Sequence, residues 1–172
     1  MRALSARPAT EHDAEDVARI WNEGIEDRVA TFETEPRTAD GIARWMRDKE
    51  PRYPTVVVER DGRVVAWAAA STYRPRACYD GVGELSVYVA RHARGQGAGR
   101  AAMEALTAVA AERGLWKLVS RVFPENTASL GLLRSVGFRE VGVYRRHAKL
   151  DGAWRDVVIV ERLVGEGERG TR

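Results

Sequence analysis

Three glycines at alternate positions, Gly95, Gly97 and Gly99, stand between Arg94 and Arg100. A run of strand character, Leu85-Ser86-Val87-Tyr88-Val89, precedes them, and a helical pattern ending at Arg113-Gly114 follows. A strand feeding a glycine-rich turn that opens a helix builds an anion cradle. The first N–H groups of a helix have no partner inside it, and the helix dipole favours negative charge at that end. Glycines leave the backbone bare for close approach, and the arginines add charge. A pyrophosphate suits such a turn. The spacing differs from the dinucleotide fingerprint, whose third glycine comes three residues after the second, and Gly99-Arg100-Ala101 lacks the lysine and hydroxyl residue of a P-loop. A glycine-rich turn that holds no ligand is the plain alternative.

Composition narrows the class. A chain of 172 residues suits one domain with a sizeable core. That domain is expected at residues 1–164, with a Gly- and charge-rich tail, expected to be disordered, at 165–172. No apolar run reaches the length of a membrane span, no signal-peptide core opens the chain, and one cysteine excludes an internal disulfide framework. The expectation is a cytoplasmic protein with no membrane partner. Three scattered histidines and Cys78 offer no metal-ligand spacing, so no metal is expected. Net charge is +3, but basic and acidic residues interleave except at Arg91, Arg94 and Arg100 and at Arg145-Arg146. That distribution suits a small polyanion better than nucleic acid.

The elements that must position the turn follow from periodicity. Residues 3–7 read as a strand ended by Pro8. Thr10 and Asp13 form a capping box for a helix whose inner face is Val17, Ile20, Trp21 and Ile25. Thr38 and Asp40 can cap a second helix through Lys49. Strands at 55–60 and 63–71 flank an Asp61-Gly62 turn, and the second is apolar on both faces, so it is central. A loop carrying Arg74, Arg76, Cys78 and Tyr79 leads into the strand of Glu84. After the long helix come a strand at 115–122, a short helix capped by Asn126, and two strands near 140–150 and 153–163 joined by Asp151-Gly152. Seven strands with helices between them predict an α/β fold with a mixed sheet.

Arg94-Gly95-Gln96-Gly97-Ala98-Gly99, between its strand and its helix, resembles the coenzyme A loop of the GNAT N-acetyltransferases. The element order is similar to theirs from Leu4 to Leu163. The resemblance implies the GNAT acyl-CoA N-acyltransferase fold, a mixed seven-stranded central sheet flanked by helices, with acetyl-CoA as co-substrate. It implies that Val87, Tyr88 and Val89 offer backbone groups to the pantetheine arm and that residues 94–100 hold the pyrophosphate. Asn126 and Ser129 or Ser135 would add polar contacts to the coenzyme. Glu84 becomes the candidate base. An unperturbed glutamate titrates near ~4.3, far below an amine, so either burial raises it or it works through water. Many members carry a tyrosine acid where this chain has Leu133; Tyr88 and His147 are the substitutes on offer.

Three further segments resemble the phosphinothricin and methionine sulfone N-acetyltransferases: Ala30-Thr31-Phe32-Glu33-Thr34-Glu35-Pro36, Arg74-Pro75-Arg76-Ala77-Cys78-Tyr79, and Glu84-Leu85-Ser86-Val87-Tyr88-Val89. The resemblance implies acetylation of the α-amine of a small glutamate-like amino acid bearing a phosphinate, sulfone, sulfoximine or arsinate. Arg74 and Arg76 would bind its anionic ends, with Phe32 and Tyr79 completing the site. It also implies a homodimer. The C-terminal strands depart from the pattern: Lys149, Trp154 and Asp156 are kept in type, while the usual Gly-Tyr and His are replaced by His147-Ala148 and Arg155. The alternatives are a GNAT enzyme for another amine, such as a polyamine, an aminoglycoside or a protein N-terminus, and an acyl-CoA-binding sensor without turnover.

Overall fold

The computed structural model describes residues 3–170. Seven strands form one sheet: β1 (Ser5–Pro8), β2 (Thr55–Arg60), β3 (Arg63–Thr72), β4 (Val82–Val89), β5 (Lys117–Val122), β6 (Arg139–Leu150) and β7 (Ala153–Leu163). Their order across the sheet is β1-β2-β3-β4-β5-β7-β6. All neighbours are antiparallel except β4 and β5. Four helices accompany them: α1 (Ala14–Asp27), α2 (Ala39–Asp48), α3 (Ala98–Glu112) and α4 (Thr127–Ser135). This is the mixed α/β arrangement that the periodicity predicts.

The central position of β3 follows from its sequence. Val64 through Ala70 are all buried, as a strand flanked on both sides and covered on both faces requires. Its Trp67 is fully buried and stacks on Tyr88 of β4 at 4.9 Å, and it meets Trp21 of α1 at 4.8 Å. Trp45 of α2 closes on Trp21 at 5.4 Å. This aromatic cluster fixes α1 and α2 over β3 and β4. On α3, Met103, Leu106 and Ala110 are buried as expected.

One feature of the sheet matters most for the site. β4 pairs with β3 along its whole useful length, from Thr72–Gly83 to Ala66–Val89. Its parallel ladder with β5 stops after Glu84–Val119. From Leu85 onward the two strands diverge, and the gap opens toward the glycine-rich turn.

The structure departs from the sequence reading in three places. β1 runs to Pro8 rather than ending before it, because an edge strand needs no N–H from proline. β5 begins at Lys117; Trp116 instead donates its N–H to the Gly81 carbonyl at 2.8 Å. The tail is not disordered over its first part. Gly165–Arg169 form a short 3-10 helix against α3, with Val164 N–H bonded to the Trp116 carbonyl at 3.0 Å. Thr171 and Arg172, the end of the expected disordered tail, lie outside the described residues.

Candidate active site

The turn after β4 is held in place by α1. Arg91 donates its backbone N–H to Glu23 at 2.7 Å, and its guanidinium reaches Asp27 at 2.8 Å and Glu26 at 2.9 Å. Arg94 donates from Nε to the Val89 carbonyl at 3.2 Å and pairs with the other oxygen of Asp27 at 2.8 Å. Gly95 and Gly97 take φ of +71° and +88°, the left-handed region that favours glycine. Gly97 is the N-cap of α3, whose first N–H groups therefore face out of the helix. Gly99 allows close packing: a Cβ there would lie 2.9 Å from Leu132 and 3.3 Å from Val89.

Beside this turn lies a cleft of about 510 Å³, lined by Val87, Tyr88, Val89, Arg94, Gly95, Gly97, Gly99, Arg100 and Asn126, with Asp27, Ser129 and Leu132. The alternation of β4 shows which backbone groups face it. The Leu85 carbonyl accepts from the Ser120 hydroxyl at 3.0 Å and the Val89 carbonyl from Arg94. Both are therefore on the β5 side, and Val87 between them shares that side. Val87 alone of the three presents N–H and C=O groups to the open gap without a neighbour already bound. Tyr88 instead turns its backbone to β3, a correction to the expectation that all three offer backbone groups. Its side chain still lines the cleft, and burial pushes its phenol up to about 12.

A second cleft, of about 320 Å³, opens on the same stretch of β4. Glu84, Phe32, Thr31, Glu33, Ser120, Arg121 and Phe123 line it, with Trp21 and Leu133. Phe32 packs edge-on against Phe123 at 4.8 Å. The two clefts share Ala30, Val87, Tyr88, Asn126 and Ser129. A long ligand lying along the gap from the glycine-rich turn thus ends where the second cleft begins.

The sequence-predicted residues divide between those that reach the clefts and those that do not. Glu84 lines the second cleft with a half-buried carboxylate, bonded to Arg121 Nε at 3.1 Å and to its Nη2. Asn126 caps α4, accepting from Ser129 N–H at 3.1 Å, and also lines both clefts. Gln96 lies on the exposed side of the turn, bonded to Arg60 and to the His92 carbonyl. Ala98 is buried inside the first turn of α3. Ser135 spends its hydroxyl on the Leu132 carbonyl at 2.7 Å. Arg74, Arg76 and Tyr79 line neither cleft. Arg74 packs over Tyr73, and Tyr79 meets the same ring edge-on. His147 lies against Tyr144 on β6, away from both clefts. Asp27, Glu33 and Arg121 join the site without having been expected there.

The donor set fits a coenzyme A thioester. A cradle of bare backbone, two cationic side chains and outward N–H groups meets a pyrophosphate. The splayed strand offers one residue's N–H and C=O to an amide-bearing arm. Among the described residues no cluster of His, Cys, Asp or Glu side chains forms a metal site, and no helix is long and apolar enough to cross a membrane.

Comparison with known proteins agrees with this geometry. The sequence model of the acetyltransferase (GNAT) family matches residues 17–138. The chain is 35% identical over 170 residues to the phosphinothricin N-acetyltransferase of Alcaligenes faecalis, covering 96% of this chain and 85% of the relative. It is 28% identical over 161 residues to the L-methionine sulfoximine/L-methionine sulfone acetyltransferase of Pseudomonas aeruginosa, covering 92% and 94%. Among solved structures, a GNAT superfamily phosphinothricin acetyltransferase from Sinorhizobium meliloti in complex with acetyl-CoA superposes with a TM-score of 0.89 at 28% identity, covering 98% of this chain and 92% of that one. Family match, curated relatives and fold together make the chain a member of the GNAT family, an acetyl-CoA-dependent N-acetyltransferase.

Proposed function

We propose that the protein acetylates the α-amine of a small glutamate-like amino acid of the phosphinothricin or methionine sulfone, sulfoximine or arsinothricin type. The observation that carries this is the meeting of the two clefts at β4, with the glycine-rich turn at one end and Glu84 at the other. The names of the relatives support the substrate class.

Acetyl-CoA supplies the activated acetyl group. Arg94, Arg100 and the first turn of α3 bind its phosphates, and Val87 aligns its arm. In this reading the N–H of Val87, which lines both clefts, would also serve as the oxyanion donor to the thioester carbonyl. Glu84 removes the proton that keeps an amine unreactive near neutral pH. Its carboxylate is half-buried in the cleft wall with one oxygen held by Arg121, an arrangement that suits relay through a water. One ammonium proton passes to Glu84 and the N–C bond forms as the C–S bond breaks. The proton the nitrogen then loses neutralises the departing thiolate. Transfer is direct: Cys78 is exposed on a loop outside both clefts.

One observation favours a second reading. Arg74 and Arg76 lie outside the acceptor cleft, while Glu33 and Glu84 line it, and such a lining also suits a cationic amine. Thiol release from acetyl-CoA separates the two readings, using phosphinothricin, methionine sulfone, methionine sulfoximine, spermidine and a peptide amine as acceptors. Turnover on the first three alone is expected; turnover on spermidine or the peptide instead reverses the assignment. Glu84→Gln is expected to lower kcat by about 10²–10⁴-fold with acetyl-CoA affinity unchanged. Full activity in that variant removes Glu84 from the chemistry.

A further inference from the structure

The acceptor cleft contains an ion pair with both halves on its wall. Glu84 sits on β4 at the last rung of the β4–β5 ladder, opposite Val119. Arg121, two residues further along β5, is on the diverging part of the strand, and its guanidinium reaches back across the gap. Both donors it spends on Glu84 go to the same oxygen, Oε1. Arg121 is the one cation among the described residues that line this cleft. Its side chain is 50% exposed. Glu84 is half-buried beside it, and an ion pair partly open to water adds little to stability, so exchanging its partner costs little.

We propose that Arg121 is the specificity-determining residue of the acceptor site, and that it takes the α-carboxylate of a free amino acid while Glu84 takes the neighbouring ammonium. The proposal rests on the reading of Glu84 as the base at this cleft and deepens it by naming what the acceptor must carry. A free α-amino acid holds an ammonium and a carboxylate on one carbon. A touching carboxylate and guanidinium are the charge-reversed copy of that pair. A guanidinium recognises a carboxylate through forked donors, and Arg121 has uncommitted N–H groups for it beyond the two on Glu84. Capture of the substrate carboxylate also loosens the hold on Glu84 Oε1 and frees that oxygen for the proton. A peptide N-terminus presents an amide where the carboxylate would be, and a polyamine presents no anion, so both lose the Arg121 contact.

The experiment compares methionine sulfone with methionine sulfone amide in the wild type and in R121Q, R121M and R121K. Steady-state rates with acetyl-CoA are paired with calorimetric binding of both acceptors in the presence of coenzyme A. The wild type is expected to prefer the acid. R121Q lowers kcat/KM for the acid about ten- to a hundredfold, the range of a lost charge-assisted hydrogen bond, chiefly through KM. It changes the amide less than the acid, so the acid-to-amide ratio of kcat/KM falls, and R121K recovers part of the preference. An acid-to-amide ratio unchanged in R121Q overturns the role of Arg121 and leaves the amino-acid reading standing. A wild type that accepts the amide as well as the acid, or binds neither, overturns both. Loss of coenzyme affinity in R121Q and R121M alike assigns Arg121 a structural role and also overturns the proposal.

Discussion

Lys49 carries its charge in a poor place for one. Its Nζ lies 4.5 Å over the Trp45 ring, with the Thr55 hydroxyl at 2.9 Å and the Pro54 carbonyl at 3.4 Å. Burial, with the positive charge of Arg113 nearby, pushes its ammonium down to about 7. The unfolded chain binds that proton up to about 10.4. Between those values the unfolded state holds more protons than the folded one, so this group's contribution makes stability rise with pH across the window. Lys49→Met keeps the stem against Trp45 and removes the charge. It is expected to be more stable than the wild type by about 1–3 kcal/mol at pH 7, with the gap closing toward pH 10; urea titrations at both values measure it. A gap that does not change with pH shows Lys49 to be charged throughout. Residues of this kind explain what a sequence shows and hides. Gly95, Gly97 and Asn126 were legible because backbone geometry demands their types at fixed offsets. Arg121 was not, because its role comes from register: only the pairing of Val119 with Glu84 brings it to the acceptor cleft.

At the scale of elements, local chemistry and tertiary contact agree best at the start of α1. Asp13 accepts from the Thr10 N–H at 2.8 Å, as the capping box predicts. It is also gripped by Arg7 of β1 through both oxygens at 2.8 Å, and Arg7 bonds Glu59 of β2 in turn. One buried carboxylate thus ties the first helix to the edge of the sheet. Arg7, before all else, holds the Asp13 carboxyl below the usual range. Its stabilisation is therefore present above the unfolded value near ~3.9 and is lost as pH falls through the lower folded value. Asp13→Ala is expected to cost about 2–4 kcal/mol at pH 7 and progressively less below pH 4, by urea denaturation at each pH. A cost that persists undiminished at pH 2.5 points to packing rather than charge. The strands were readable from local signals too: β2 and β3 are continuous apolar runs, as strands buried on both faces require, and turn residues separate the hairpin strands. Asp61-Gly62 and Asp151-Gly152 both adopt the positive φ that such hairpins require. The 3-10 helix at 165–169 was missed because a Gly-rich, charged segment has no local drive to order. It orders by resting on α3 and the backbone of Trp116.

At the scale of the whole molecule, the sheet ends badly for a monomer. β6 is a twelve-residue edge strand, almost all of it exposed. Val141, Val143 and Tyr144 on it, with Trp154 on β7, are each about half exposed. A long exposed edge strand is a template for pairing, and β6 carries this apolar cluster beside the charges of Arg145, Arg146 and Lys149. The proposed cover is a second copy of this chain, the homodimer that the family resemblance implies. A pairing that buries about 800 Å² on each partner suffices for a stable complex. The same pairing offers a reason for the placement of Arg74 and Arg76: they line no cleft of their own chain, and in a dimer they are free to serve the partner's. Val143→Glu with Trp154→Glu puts charge into that face. The double variant is expected to sediment as a monomer at about micromolar concentration, where an interface of standard size holds the wild type together. If the arginines act across the interface, the monomeric variant and Arg74→Ala share one kinetic defect: a raised KM for the acceptor with an unchanged KM for acetyl-CoA. A wild type that sediments as a monomer removes the dimer. A monomeric variant with full acceptor affinity keeps the dimer but confines each acceptor site to a single chain, leaving Arg121 as its cation.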